Sequence, residues 1–185
     1  PDVLKSYEDM ESACEQIVRI FDFAKDYEML GAEQLTYIDM ENVVEKAFSL
    51  FSDLKGVKVA NECHGLTVLA DSLLRQLYYN LIDNSLKYGE KVTQIRIHYE
   101  KTEGDHLRLV YKDDGVGIDQ TAKPRLFHEG YTTGKGSGYG LFLARKIMEV
   151  YGWSIQETGE PSKGVRFVIT MPKTNPNGRE NYRIA

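Results

Sequence analysis

Near the start of the chain, apolar residues recur at alternating spacings of four and three: Val3, Tyr7, Met10, Cys14, Ile17, Phe21 and Ala24. That is the a/d rhythm of a helix seam in a coiled coil or bundle. Glu8, Asp9, Glu11, Glu15, Arg19, Asp22 and Lys25 fall off the seam. The rhythm lapses at Glu28 and stops near Gly31, a suitable helix C-terminus. One apolar stripe buries nothing alone, so this helix needs a partner. The partner is either its own domain or a helical bundle, and the strict heptad favours the bundle for residues 1–31.

The pattern then shortens. Leu35, Tyr37 and Ile38 predict a strand, and Asp39 is placed to cap a second helix carrying Val43, Val44, Ala47, Phe48 and Phe51 on one face. Lys58–Ala60 and Thr67–Leu69 read as strands around a turn at His64-Gly65. Asp71 or Ser72 caps a third helix through Leu73, Leu74, Leu77, Tyr78, Leu81 and Ile82. Two alternating stretches, Gln94–Tyr99 and Leu107–Tyr111, flank Glu103-Gly104-Asp105 and predict a hairpin. A polar, glycine-rich loop follows from Gly115 to Gly138. A helix from about Tyr139 to Tyr151 closes at Gly152, and Trp153–Thr158 with Val165–Met171 makes a last strand pair. The order predicts an α+β fold, a two-layer α/β sandwich with helices on one face of a mixed sheet, over residues 33–173. Residues 174–185, rich in Asn, Pro and Gly, are expected to be a loose tail.

Composition narrows the classes. The 185 residues are 42% hydrophobic and 28% charged, the profile of a soluble domain, with a formal net charge of -5 and no long basic run. Nucleic acid is therefore not expected as a partner, although a local basic pocket for phosphate remains open. Cys14 and Cys63 lack metal-type spacing and read as reduced thiols. No stretch is apolar enough to cross a bilayer, so no membrane contact is expected here. The chain opens at Pro1 directly in helical sequence, which suggests a cytoplasmic piece of a longer protein whose own membrane attachment is open.

Three clusters carry chemistry. Asn80, Asn84, Lys87 and Tyr88 share one side of a helix and its end. Asn oxygens suit a hydrated Mg²⁺ already bound to phosphates, Lys87 adds a phosphate-seeking charge, and Tyr88 adds a flat ring for a base. Asp113-Asp114-Gly115-Val116-Gly117-Ile118 follows the end of a strand, where glycines admit a ligand close to the backbone. A buried carboxylate at Asp113 could accept from an exocyclic amine and select adenine over guanine. Gly134-Lys135-Gly136-Ser137-Gly138-Tyr139-Gly140-Leu141 leads into a helix, so loop amides and the free helix N-terminus make an anion site. It is neither a Walker loop nor a dinucleotide fingerprint. Taken singly, each cluster also has an ordinary reading: solvated asparagines, an Asp-Gly turn, a flexible linker.

Together and in this order, the clusters resemble the catalytic domain of sensor histidine kinases, from about Leu35 to Pro172. Asn80–Tyr88 resembles that family's N box and Asp113–Ile118 its first glycine box. Arg125-Leu-Phe127-His-Glu-Gly-Tyr131-Thr132-Thr133 resembles its F box, and Gly136–Leu141 its second glycine box. The resemblance implies a Bergerat ATP-binding fold with ATP and Mg²⁺ as cofactors. By it, Asn84 would ligand Mg²⁺ with Asn80 in support, Asp113 would read the adenine amine and Tyr88 would lie near the base. Lys87 and the Gly136–Gly140 amides would hold phosphates. Gly115, Gly117, Thr132, Thr133, Lys135, Ser137, Tyr139 and Leu141 would complete the site. The stretch from about Asp119 to Lys135 would be a mobile lid. Val165 stands where the family often has Thr or Ser, which puts one phosphate-side contact in doubt.

Asn80 bears on the reaction. The gyrase, chaperone and mismatch-repair branch has Glu there to activate water, and an amide cannot act as a general base. Asn80, Asn84 and Lys87 therefore suit positioning ATP for transfer to another nucleophile. His64, His98, His106 and His128 all fall outside the heptad helix, so none is a good phosphoacceptor. The acceptor is expected upstream, with the opening heptad as the second helix of a dimerising hairpin and a response regulator receiver domain as the next partner. Two alternatives stay open: a serine kinase of the anti-sigma-factor type, and a nucleotide-binding regulatory module without transfer.

Overall fold

The computed structural model describes residues 2–54, 56–134 and 136–185; Lys135, expected in the ATP site, and the side chains of Glu8 and Glu15 lie outside the described residues. The elements run α1 (Asp2–Glu28), β1 (Thr36–Asp39), α2 (Met40–Phe48), β2 (Lys58–Glu62), β3 (Leu66–Ala70), α3 (Leu73–Tyr88), β4 (Gln94–Lys101) and β5 (His106–Asp113). After a short 3-10 turn at Lys123–Arg125 come α4 (Gly140–Tyr151), β6 (Ser154–Glu157), β7 (Arg166–Pro172) and β8 (Tyr182–Ile184).

Helices α2, α3 and α4 each bury the stripe that their periodicity marks. Val43, Val44, Ala47 and Phe48 of α2, Leu74, Leu77, Leu81 and Ile82 of α3, and Ala144, Ile147 and Met148 of α4 are buried in one core. Local chemistry sets the ends. The Asp39 side chain accepts from the Asn42 amide at 2.9 Å and caps α2. Gly152, at φ 70°, closes α4 in the left-handed conformation, with the Trp153 amide bonded back to Met148. At α3, Ser72 is the N-cap but makes no side-chain cap bond; Asp71 instead accepts from the Leu73 amide at 3.0 Å.

The strands form two sheets rather than one. Five run in the order β2-β4-β5-β7-β6, and three in the order β1-β3-β8. The five-stranded sheet is mixed, since β2 pairs parallel with β4 and its other pairs are antiparallel. Period-two alternation turns Ile95, Ile97, Leu107, Leu109, Tyr111, Phe167, Ile169 and Met171 toward the helices. The two strands flanking His64-Gly65 do not pair with each other. β2 enters the large sheet and β3 the small one, because β3 carries a continuous buried run, Val68 to Ala70, that sits between two neighbours.

The expectation of a loose tail is corrected. β8 pairs antiparallel with β3, Leu66 opposite Ile184 and Val68 opposite Tyr182. Asn181 explains why polar composition was misleading, for it is 1% exposed and bonded through its backbone N–H, its carbonyl and its side-chain nitrogen. Its amide N–H donates to Lys173 O at 2.7 Å, its carbonyl accepts from Leu69 at 2.8 Å, and its side chain donates to Pro172 O at 2.9 Å. Arg183 then lies 3.7 Å over the Tyr37 ring. The α1 seam behaves differently: Val3, Tyr7, Met10, Ile17 and Phe21 are all more than half exposed, while the C-terminal part of α1 packs on the domain through Phe23 and Tyr27 against Tyr139 and Phe142.

Two outcomes follow. Asn181→Ala should lower the unfolding free energy by about 0.5–1.5 kcal/mol in chemical denaturation, since Pro172 O loses its side-chain donor while both backbone bonds of the residue remain. Native alkylation should modify exposed Cys14 and spare Cys63, which is fully buried and whose thiol burial pushes up to about 12; mass spectrometry of the labelled chain checks this.

Candidate nucleotide site

One large cavity, about 1010 Å³, opens between α3, the end of β5, the glycine loops and α1. Asn80, Asn84, Lys87, Tyr88, Asp113, Gly117, Thr132, Thr133, Gly136, Ser137, Gly138, Tyr139, Gly140 and Leu141 line it, so residues sixty positions apart in sequence meet around one space. Gly115 does not line it. It lies buried behind Asp113, where a Cβ would come within 2.6 Å of Gly89 O, so its role is close backbone packing.

Asp113 forms the floor. It ends β5 and is 2% exposed. Its Oδ1 accepts from the Gly115 amide at 3.0 Å and the Val165 amide at 2.9 Å, while Oδ2 accepts from Ser85 Oγ at 2.5 Å. Behind Ser85, the Tyr111 hydroxyl lies 2.8 Å from Ser85 Oγ and donates to Leu81 O at 3.2 Å. Burial holds the Tyr111 phenol well above its ordinary range, so it keeps its proton. Ser85 has one proton, which goes to the carboxylate. Ser85 is thus the hydroxyl donor to Asp113, and Oδ2 retains acceptor capacity for one more donor from the cavity.

Several of these partners were not read from the sequence. Ser85 is a polar residue at a core position of α3, in register with Leu81 and Ile82, and that mismatch was the available signal. Val165, noted in sequence only as a departure from Thr or Ser, holds Asp113 through its amide, and its side chain lines the same cavity. Gly164 makes the approach of the two strands possible: it has φ 83°, and a Cβ there would fall 2.0 Å from Asp113 O.

The opposite side is built by α3 and the second glycine loop. Asn80 Nδ2 donates to Gly140 O at 3.4 Å, joining α3 to the first turn of α4. Lys87 is held at 2.5 Å from Asp83, one turn back, and remains exposed. Tyr88 lies under the loop, where a Cβ on Gly136 would meet its hydroxyl at 2.1 Å. Gly138, at φ 74°, lets the chain pass Gly130 at a distance no side chain would allow. The stretch expected to be a mobile lid is anchored in its first half. Ala122 and Leu126 are buried, Lys123 pairs with the buried Glu157 at 2.7 Å, and Phe127 packs edge-on to Phe167 at 6.3 Å. From His128 through Gly134 the chain is continuously exposed, Tyr131 alone being partly covered.

A mixed sheet backed by α2, α3 and α4, with an acidic floor and a glycine loop at a helix N-terminus, defines a nucleotide-binding α/β sandwich. Residues 70–175 match the family described as Histidine kinase-, DNA gyrase B-, and HSP90-like ATPase. The chain belongs to that family. It is 32% identical over 113 residues to the adaptive-response sensory kinase SasA of Prochlorococcus marinus, covering 58% of this chain and 30% of that protein. It is 36% identical over 105 residues to the sensor protein SrrB of Staphylococcus aureus, covering 53% of this chain and 18% of that protein. The chain thus spans a third or less of the curated relatives it matches. Among solved structures, the catalytic domain of histidine kinase ThkA superposes with a TM-score of 0.66 at 25% identity, over 80% of this chain and all of that one. Full-length ShkA in complex with AMPPNP shares the fold, with a TM-score of 0.71 at 23% identity over 91% of this chain and 36% of that one. Among the described residues, no helix is long and apolar enough to cross a membrane.

Gly164→Ala should disrupt the floor outright, giving a loss of cooperative unfolding in calorimetry. Ser85→Ala should fold, with stability lowered by about 1–3 kcal/mol because Asp113 Oδ2 and the Tyr111 hydroxyl lose their shared partner.

Proposed function

We propose that this chain is the ATP-binding catalytic part of a sensor histidine kinase, positioning the γ-phosphate for transfer to a His on a helix outside it. The observation that carries the reading is the shared cavity, which sets the acceptor-only floor at Asp113 opposite the glycine loop at the N-terminus of α4. An adenine amine would donate to the remaining acceptor of Asp113, and Val165 with Gly117 would border the ring. The phosphates would lie against the free amides from Gly136 to Leu141, where the helix dipole favours anions. Lys87 would leave Asp83 for phosphate, and Thr132, Thr133 and Lys135 would close over it.

The donor set fits Mg²⁺ carried in by the nucleotide. Among the described residues no three His, Cys, Asp or Glu side chains gather to hold a bare ion. Asn84, with Asn80 behind it, instead offers neutral amide oxygens on the cavity side of α3, suited to a hydrated ion whose other ligands are phosphate oxygens. When bound, the metal would neutralise charge on the transferring group. Asn80 has no basic pKa with which to activate water, which favours transfer over hydrolysis. The sensory kinase SasA among the relatives and the histidine kinase ThkA among the solved structures support transfer to His, which would make a receiver domain the next partner, and the exposed α1 seam supports pairing with a second copy in the parent. Neither a serine acceptor nor a purely regulatory role has an observation in its favour.

Calorimetry of the purified chain tests the reading. ATP should bind, Mg²⁺ should alter the affinity, and Asp113→Asn should abolish binding, because an amide nitrogen at the Oδ2 position would face the adenine amine donor to donor. With radiolabelled ATP the chain alone should take up no acid-labile phosphate, while a longer parent with its upstream helix should. A wild-type chain that binds no ATP would overturn the proposal.

A further inference from the structure

The five-stranded sheet packs its helices on one face, and strand register gathers charge on the other. Arg96 of β4 stands opposite Lys112 of β5, and Lys112 stands opposite Arg166 of β7, so three cations form one row across the sheet. At a strand spacing of about 4.8 Å their Cα atoms fall within about 10 Å. Like charges directly opposite destabilise a sheet, so folding alone gives no reason for this row. Arg108 on the same side of β5 and Lys58 on the same side of β2 extend it. Two carboxylates share the face, and both are engaged. Glu62 takes the Arg96 fork at 2.9 and 2.7 Å, and Glu100 lies 3.0 Å from His98 and 3.4 Å from Arg166. Among the described residues, Lys58, Arg108 and Lys112 are exposed and have no ion-pair partner. Five cations against two carboxylates make this face basic in a chain whose net charge is -5, so the remaining surface is the more acidic.

What the face lacks narrows its occupant. Its strand positions carry no Phe, Tyr or Trp, and its outward valines, Val110 and Val168, are buried among the stems of their long neighbours. A folded protein partner is held by apolar and aromatic anchors at the interface core, and a single nucleic-acid strand by stacking on aromatic rings. A planar array of anionic head groups needs charge alone. We propose that the outer face of the five-stranded sheet adsorbs to an anionic lipid surface. The acidic remainder of the chain is repelled by that surface, which fixes one orientation, sheet toward lipid and helices toward water. Asp113, Val165 and Phe167 line the large cavity from the helix side of the sheet, so adsorption leaves the cavity open. The proposal is independent of what the cavity binds. Adsorption of this kind needs no apolar span, and cations drawn together from four strands form no basic run along the chain.

Cosedimentation of the purified chain with vesicles is the test. At low salt the chain should bind vesicles of equal parts phosphatidylserine and phosphatidylcholine and ignore pure phosphatidylcholine, and added salt should release it. Each basic side chain near such a surface is worth roughly fivefold in partitioning, so Lys112→Gln should lose about fivefold and Arg108→Gln with Lys112→Gln at least about tenfold. Glutamine keeps much of the stem over the valines, and losing Lys112 relieves two like-charge pairs, so the double variant should melt no lower than the wild type. If it does unfold, Lys112→Gln alone decides. Lys46→Gln with Arg145→Gln takes the same charge from exposed positions of the helix layer and should bind as the wild type does. Equal binding to phosphatidylcholine, no loss on changing the sheet face, or an equal loss on changing the helix layer would overturn the proposal. So would failure to bind phosphatidylserine vesicles; retention on immobilised polyglutamate or an oligonucleotide would then give the face to an acidic protein or a nucleic acid.

Discussion

A buried carboxylate is tolerated only where its lone pairs are met, and Asp113 sets that demand at the centre of this molecule. Two backbone amides and one serine hydroxyl meet it, and each comes from a different segment. Satisfying them fixes the approach of the loop before β7 to the end of β5, which in turn requires Gly164 to be bare and left-handed. It also fixes the rotation of α3, since Ser85 must face the sheet for its hydroxyl to reach Oδ2. Once α3 is turned so, Asn80, Asn84 and Lys87 fall on the cavity side. The floor and the wall of the site are thus one hydrogen-bond problem with one solution.

The same rigidity contrasts with the loops above it. Buried apolar residues and a desolvated ion pair hold the first half of the segment between the glycine boxes, while the stretch from His128 to Gly134 is mostly exposed. A site that must admit and release a nucleotide needs a firm recognition floor and a cover that opens at low cost. The division between these two regimes falls inside what looks in sequence like a single polar loop.

Much of the architecture was legible because periodicity and capping agree here. The stripes of α2, α3 and α4, the Asp39 cap, the Gly152 stop and the β4–β5 hairpin could all be read locally. Long-range pairing was not. Nothing near His64 distinguishes a hairpin from two strands that part into different sheets, and Asn181 is a turn-former by composition that became a buried residue bonded through backbone and side chain. In the site, the motif residues could be found, but their supports could not. Val165 holds Asp113 through a backbone amide, which no side-chain motif records, and Lys123 matters through a partner thirty-four residues away. Ser85 was detectable as a polar residue on an apolar stripe. The contribution of α1 depends on how it docks, which a heptad alone does not specify.

The small sheet has a mechanical consequence. β1 follows directly from the helix α1, and β8 lies close to the final residue; both flank β3 and run antiparallel to it. Tension between the helical segment and the C-terminus would pull β1 and β8 in opposite directions past the strand they share. Their hydrogen bonds would then be loaded together in shear, the stiff direction of a sheet, rather than unzipped one by one. The Arg183–Tyr37 contact bridges the same two strands, and the bond from Tyr37 to Glu180 O ties β1 to the segment just before β8. Strain arriving along the helix would therefore cross the domain through this three-stranded strap, leaving the geometry around Asp113 undisturbed.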